Sequence, residues 1–267
     1  MQKPSLSKTN PDETPLCKNK EDALLQTEKY KKRIYDLLYL MFAEDQRSLL
    51  IILQGIDTSG KDGVVRLIFD AANPQGIEVH SFKKPSDEEL KHDYLWRCHK
   101  LTPASGGATI FNRSYYEEVT VAKVHPELLD RQHLHASIKN DESIYKKRYQ
   151  QINDFERMLT QTGTSVLKFL LHISKDEQKE RLKARLDDRT KNWKFSSADI
   201  KERKYWDQYM KVFDQMVAAT HTKEAPWHVV PANKKWYRDF VVAKVIVEHL
   251  ESLNMKFPKI KTKPRIT

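Results

Sequence analysis

Gly55, Gly60 and Lys61, in "LQGIDTSGKDG", fit the spacing G-x-x-x-x-G-K. A loop of this kind wraps phosphate oxygens with backbone N–H groups and a lysine, at the start of a helix whose dipole favours anions. Thr58 and Ser59 lie inside the loop and Gly63 just beyond it. The chain has only seven glycines, and Gly55, Gly60 and Gly63 fall close together, as expected where backbone must approach a ligand. Two acids complicate this reading. Asp62 stands where a hydroxyl residue normally follows the lysine, and Asp57 sits within the loop. Asp57 suits a divalent cation shared with phosphates, or else caps the helix. Asp62 either replaces the hydroxyl as a metal ligand or sits favourably in the first helical turn.

A second constellation is "GGATIFNRSYYEEV", residues 106 to 119. A strand ending in an acid normally supplies a second metal contact in phosphate-loop enzymes, but this strand ends in the neutral Asn112. Arg113 follows, placed to reach a transferring phosphoryl group at the carboxyl end of a strand. Glu117 and Glu118 come a turn later and could restore the missing carboxylate; the alternatives are a cap for Asn112 and dipole partners for the glutamates. A third constellation runs from Lys179 to Lys204, with ten Lys/Arg against five acids. Arg181, Arg185 and Arg189 are four apart and share a face while a helix lasts. The run reads either as a solvated helix surface or as a lid that closes basic groups over phosphate. "PANKKWYR" adds Lys234, Lys235 and Arg238 after the last expected strand, read either as the basic start of a terminal helix or as positive groups that line a phosphate channel. None of the ten histidines makes a helical metal pair, and His125 in "VHPE" reads as structural.

Positioning these groups calls for alternating strands and helices. "SLLIILQ" is a short, largely apolar run bounded by Gly and suited to a central parallel strand. "IEVHSF", "ATIFN", "TSVLKFLLHIS" and "WHVVPA" read as four more, with helix-compatible sequence at 61–73, 86–101, 143–161, 176–187, 199–219 and 236–253. The expected fold is α/β: a parallel phosphate-loop sheet of about five strands sandwiched by helices, with a helical lid at about 181–204. An N-terminal helix from Glu21 to Phe42 would bury Leu24, Leu25, Ile34, Leu37, Leu38 and Met41. The organisation expected is a mobile arm over 1–20, a single domain over 21–253 and a basic tail over 254–267.

With 39% hydrophobic and 10% aromatic residues the chain is no disordered polyelectrolyte, and its formal charge of +10 points to a polyanionic partner. Only Cys17 and Cys98 are present, so a disulfide framework or zinc site is not expected. No apolar run has the length of a signal or membrane span, and a cytosolic setting is the expectation.

"GIDTSGKDG", "SFKKPSDEEL", "IFNRSYYEEV", "VHPE", "RLDDRTKNWKFSSAD" and "APWHVVPANKKWYR" resemble, in order, the motifs of the polyphosphate kinase 2 family. The resemblance runs from about Tyr30 to Leu250. Asn112 with "RSYYEEV" and "VHPE" looks like the subgroup that phosphorylates both AMP and ADP. It implies phosphoryl transfer between inorganic polyphosphate and adenine nucleotides, guanine being a further option, with Mg²⁺ as cofactor and Mn²⁺ as a substitute. A homodimer or homotetramer, and neither nucleic acid nor membrane as partner, is also implied. By resemblance, Asp57, Lys61 and Arg113 are catalytic. Lys83 and Lys84 in "FKKPS" contact phosphate, as would Arg185, Arg189, Lys194 and Lys235. Nucleotide contacts are expected from Asn112, Arg113, Tyr116 and Glu117, and metal ligands from Asp57, Asn112, Asp62 and Glu117. An ATP-dependent nucleoside monophosphate kinase and a non-catalytic polyanion-binding protein are the alternatives.

Overall fold

The computed structural model describes residues 4–190, 192–194 and 197–259, the side chains of 194, 197 and 198 excepted. Five parallel strands form one sheet: β1 (Ser48–Gln54), β2 (Ile77–Ser81), β3 (Ala108–Asn112), β4 (Thr164–His172) and β5 (Trp227–Pro231), in the order β2-β3-β1-β4-β5. β1 lies in the middle, and all seven of its residues are buried. That explains an uninterrupted apolar run, since a parallel strand covered on both faces has no solvent side to alternate with. The register pairs Leu53 with Asn112 on one flank and Gln54 with Leu170 on the other. The glycine loop after β1 and Arg113 after β3 therefore leave the same edge of adjacent strands, where ligands bind in open parallel sheets.

The helices are α1 (Lys20–Glu44), α2 (Lys61–Phe69), α3 (Asp87–Lys91), α4 (Trp96–His99), α5 (Val121–Val124), α6 (Ala136–Lys139), α7 (Ile144–Gln161), α8 (Lys175–Asp187), α9 (Ser197–Glu202), α10 (Trp206–Thr220) and α11 (Lys235–Ser252). The Asn19 side chain caps α1 by accepting from Asp22 N at 2.8 Å, and α1 packs along α11. Its buried face is Ala23, Thr27, Ile34, Leu37, Leu38 and Met41. Leu24 and Leu25 are 46% and 58% exposed, contrary to the expectation that they join the core. At about 100° per residue Leu25 lies half a turn from Ile34, so the two cannot share a face.

The stretch 86–101, expected as helix-compatible, is broken into α3 and α4, because Asp93 Oδ1 takes the N–H groups of Leu95 and Trp96 and starts a new helix. The stretch 199–219 is likewise divided by a 3-10 turn at Arg203–Tyr205. Residues 5 to 16, expected as a mobile arm, are tied down. Leu6 is buried, Leu6 N and Ser5 Oγ donate to Asp214 Oδ1 at 2.9 and 3.0 Å, and Leu16 N reaches Tyr237 Oη at 3.3 Å. The tail from residue 260 lies outside the described residues. No described helix is long and apolar enough to cross a membrane.

Three histidines gather at the β5 side of the fold. His228 stacks on Phe169 with ring centroids 5.4 Å apart. Burial, then the nearby His221 and His249, push its imidazole down to about 4. Burial also lowers His249 and His172. A histidine held neutral in the fold titrates near 6.5 when unfolded, so its contribution to stability is complete above pH about 6.5 and is lost as pH falls toward about 4. Melting temperature should drop by several degrees between pH 7 and about 4.5, and the slope should flatten in His228→Phe. A slope unchanged in that variant would assign the acid sensitivity to other groups.

Candidate active site

The loop is built from backbone constraints. Gly55 has φ +143°, and a side chain there would meet Leu171 O at 2.7 Å. Gly60, at φ +106°, ends the loop and starts α2. Between them Thr58 also takes a left-handed conformation, φ 66°, which costs a β-branched residue about 1–2 kcal/mol. Its Oγ1 and Ser59 Oγ are buried without a hydrogen-bond partner among the described residues. Buried hydroxyls are seldom left so, and for Thr58, which borders the cavity over the loop, a phosphate oxygen would supply the partner. Lys61 is 8% exposed and folds back over the loop, donating to Gly55 O at 2.7 Å and Ile56 O at 3.2 Å. Burial and the neighbouring Arg113 push its ammonium down to about 8, against the pull of Asp57, Glu117 and Asp62.

One arginine bonds this loop and a second packs against its end. Arg181 of α8 donates to Thr58 O (2.9 Å) and Ser59 O (3.0 Å), and its other nitrogen to Ala232 O (2.6 Å) and Asn233 O (2.9 Å). It thereby fastens the glycine loop to the β5–α11 connection. Arg238 lies across the start of α2, so that a Cβ on Gly60 would fall 1.9 Å from its Nη1 and one on Gly63 2.8 Å from its Nη2. These glycines make room for a guanidinium as well as for phosphate. Gln178 of α8 donates to Asp57 O at 3.2 Å.

Arg113 sits opposite the loop with φ 64°. Its Nη2 is hydrogen-bonded to Asp57 Oδ1, and Nη1 to Glu117 Oε2 at 2.8 Å. Burial raises Asp57, but Arg113 and Lys61 outweigh it and hold the carboxyl below the usual range. Asn112 Nδ2 donates to Asp62 Oδ1 at 2.9 Å. The four expected metal ligands are thus arranged as two pairs, with Arg113 between Asp57 and Glu117. No cluster of three His, Cys, Asp or Glu poised for a metal occurs among the described residues. The donors are hard oxygens, few in number, which fits Mg²⁺ bound with phosphate oxygens and water and not a closed protein cage.

Two cavities meet at this point. One, of about 690 Å³, runs over the glycine loop and is lined by Lys61, Arg113, Arg181, Arg185, Lys235 and Arg238 among others. Asp57, Asp62, Asn112 and the exposed Trp193 also border it. The second, of about 540 Å³, has apolar walls from Val121, Ala122, Leu128 and Tyr209, and carries Lys84, Glu117 and Arg131. Asp57, Lys83, Arg113 and Asp199 border both. His125, read as structural, lies on the second cavity and bonds Glu202 at 2.7 Å, joining α9 to the rest of the wall.

Two expected site residues are elsewhere. Tyr116 is fully buried and bonds Glu156 Oε1 at 2.8 Å, so it lines neither cavity and does not contact a nucleotide there. Consecutive residues on a tight 3-10 turn point different ways, and here Glu117 faces the cleft while Tyr116 enters the core. Arg189 is exposed beyond the end of α8 at Asp187, and the row it was to share with Arg185 is broken by that helix end. Arg185 itself pairs with Asp199 at 3.2 Å. The side chain of Lys194 lies outside the described residues. Lys83 and Lys84 are both exposed at the cavity rim, with Lys83 O held by Arg97 Nη2 at 2.8 Å. Sequence spacing missed the clamping role of Arg181 and of Gln178. The sole signal was the position of Arg181 in a basic row.

Comparison with known proteins supplies the family. The polyphosphate kinase 2 (PPK2) profile matches residues 18–258. An AMP/ADP-polyphosphate phosphotransferase of Meiothermus ruber is 43% identical over 258 residues, 96% of this chain and 92% of that protein. An ADP-polyphosphate phosphotransferase of Rhodopseudomonas palustris is 43% identical over 247 residues, covering 92% and 85% of the two chains. The crystal structure of polyphosphate kinase 2 from Arthrobacter aurescens TC1 superposes with a TM-score of 0.90 at 42% identity, over 97% of this chain and 89% of that one. With its glycine loop and its arginine-bridged acids both set on the matched span, the chain belongs to the polyphosphate kinase 2 family.

Proposed function

We propose that the protein transfers a phosphoryl group reversibly between inorganic polyphosphate and AMP or ADP. The observation that carries this reading is the meeting of two unlike cavities at Arg113. The trough over the loop is lined by charge after charge, which suits a repeating phosphate chain that has no base to stack. The neighbouring cavity has apolar walls beside charged groups, which suits a nucleoside with its phosphates directed at Arg113. Transfer between ends that meet there needs positioning and charge stabilisation more than covalent chemistry.

Lys61 would exchange its backbone carbonyls for phosphate oxygens, and the loop N–H groups with Thr58 and Ser59 would cradle the chain. Arg113 would follow the transferred group, and Lys83, Lys235 and Arg238 would neutralise phosphates farther along. Asp57, with Asp62, Glu117 or the Asn112 oxygen, would hold Mg²⁺. When bound, the cation supplies charge neutralisation between donor and acceptor oxygens. The setting we infer is cytosolic, where nucleotides and polyphosphate are both available.

Lys61→Ala should lower turnover by about a hundredfold or more while leaving general polyanion retention on heparin only modestly weaker. A parallel loss of both would favour a polyanion-binding protein. Competition between donors is equally decisive: polyphosphate, and not ATP, should drive AMP phosphorylation. Asp57→Asn should abolish Mg²⁺-dependent turnover, and retained activity would remove Asp57 from the metal site.

Lys61 also predicts a proton linkage. In the free protein its ammonium titrates near about 8, and a bound phosphate raises that value. Binding of a short polyphosphate should therefore take up a proton at about pH 8.5 but not at about pH 7, where the lysine is already charged. Calorimetry in two buffers of different ionisation enthalpy measures this, and the uptake should vanish in Lys61→Arg.

A further inference from the structure

We infer that a buried ionic network beneath the sheet, centred on Glu156, is what positions Arg113 for phosphoryl transfer. Lys168, in the middle of β4, and Glu156, on α7, are 0% and 1% exposed and pair at 2.6 Å. The network is fully satisfied. Lys168 Nζ also donates to Tyr116 Oη at 2.9 Å and to Thr220 O at 2.7 Å. The remaining Glu156 oxygen, Oε1, accepts from both Tyr115 Oη (2.9 Å) and Tyr116 Oη (2.8 Å).

These two tyrosines are the second and third residues after Arg113. Between Arg113 and Tyr115, Ser114 Oγ accepts from Tyr116 N at 3.2 Å. Glu117 follows directly and bonds Arg113 Nη1. One carboxylate oxygen thus fixes the turn on which both Arg113 and its partner stand. Arg113 needs such support, because a non-glycine residue at φ 64° persists only when its surroundings over-determine it. Gln54, at the end of β1, reaches the same turn from the loop side: in the amide orientation that satisfies it, Nε2 donates to Glu117 Oε1 at 2.9 Å.

A buried ion pair is a poor way to gain stability, since apolar residues of similar volume do as well, and its value lies in specifying one arrangement. Here the arrangement specified is the "RSYY" turn. Glu156, Tyr115 and Tyr116 are positioning residues, acting on the reaction through Arg113 and touching no substrate. The inference rests on the proposed role of Arg113 in transfer.

The test compares Tyr115→Phe/Tyr116→Phe, which severs the turn from Glu156, with Thr220→Val. The latter removes a hydroxyl that accepts from Trp227 Nε1 at 2.8 Å and lies beside Tyr116, so it disturbs the packing around the network while leaving both tyrosine bonds to Glu156 in place. With melting temperatures measured for each, kcat and the nucleotide KM are read well below melting. The double variant should lose about tenfold or more in kcat with KM within about twofold, as a small displacement of a catalytic group does. Thr220→Val should keep wild-type kcat whatever stability it loses. Tyr115→Phe alone should fall between, and provides the reading if the double variant does not fold. Wild-type kcat in the Phe variants, or a kcat loss in Thr220→Val matching theirs, would overturn the inference. Absence of polyphosphate-driven turnover in the wild type would instead overturn the functional reading beneath it.

Discussion

Arg113 stands between two carboxylates, Asp57 and Glu117, and bonds both. Everything else at the cleft adjusts to that fact. Burying acids costs free energy unless a cation accompanies them, and here one guanidinium serves two acids at once. Glu117 and Asp57 in turn keep Arg113 charged, raising it well above its ordinary value. Lys61 faces the opposite balance: burial and Arg113 lower it, and its carbonyl partners in the loop give it donor contacts without a counter-charge. The acids Asp57 and Glu117 are therefore already paired in the free cleft. A polyanion that enters finds cations whose present partners are neutral carbonyls or carboxylates that a divalent cation could take over.

The loop's geometry has a mechanical support separate from its charges. Arg181 spends four hydrogen bonds on backbone carbonyls, two in the loop and two after β5. Those carbonyls follow two different strands, β1 and β5, so the clamp converts sheet order into loop shape. An arginine can do this because its planar fork presents several donors in fixed directions, which a lysine cannot. Arg181 belongs to α8, which leads into the basic segment around 189–204.

All five strands and the phosphate loop were legible because their causes are local. A buried central strand such as β1 is mostly apolar, and a loop that admits phosphate must have glycine where no Cβ fits. What failed was decided by distant partners or by phase. Leu24 and Leu25 look like core residues until the helix phase is fixed by Ile34 and Met41, which face α11. Tyr116 belongs to a motif rich in functional residues, yet Glu156 and Lys168, far away in sequence, draw it inside. Arg189 keeps the four-residue spacing of Arg181 and Arg185, but spacing carries meaning only while the helix continues. The fold brings Asp57, Lys61 and Arg113 together as their types and places in the sequence suggest, whereas the clamps Arg181 and Gln178 contact chain more than a hundred residues away.

Asp62 and Asn112 complete the electrostatic account. An acid in the first turn of a helix is favourable for the helix, but at a phosphate loop it also repels the ligand. The hydrogen bond from Asn112 Nδ2 to Asp62 Oδ1, 2.9 Å, gives this acid a neutral donor as its partner. A carboxylate at position 112 would place two like charges at hydrogen-bonding distance, and one of them would have to take up a proton or call for a cation. The amide avoids that conflict and still leaves its own oxygen able to bind a metal. A neutral strand end and an acid after the lysine are thus one feature in two places: each departure from the usual phosphate-loop pattern is the condition that makes the other tolerable.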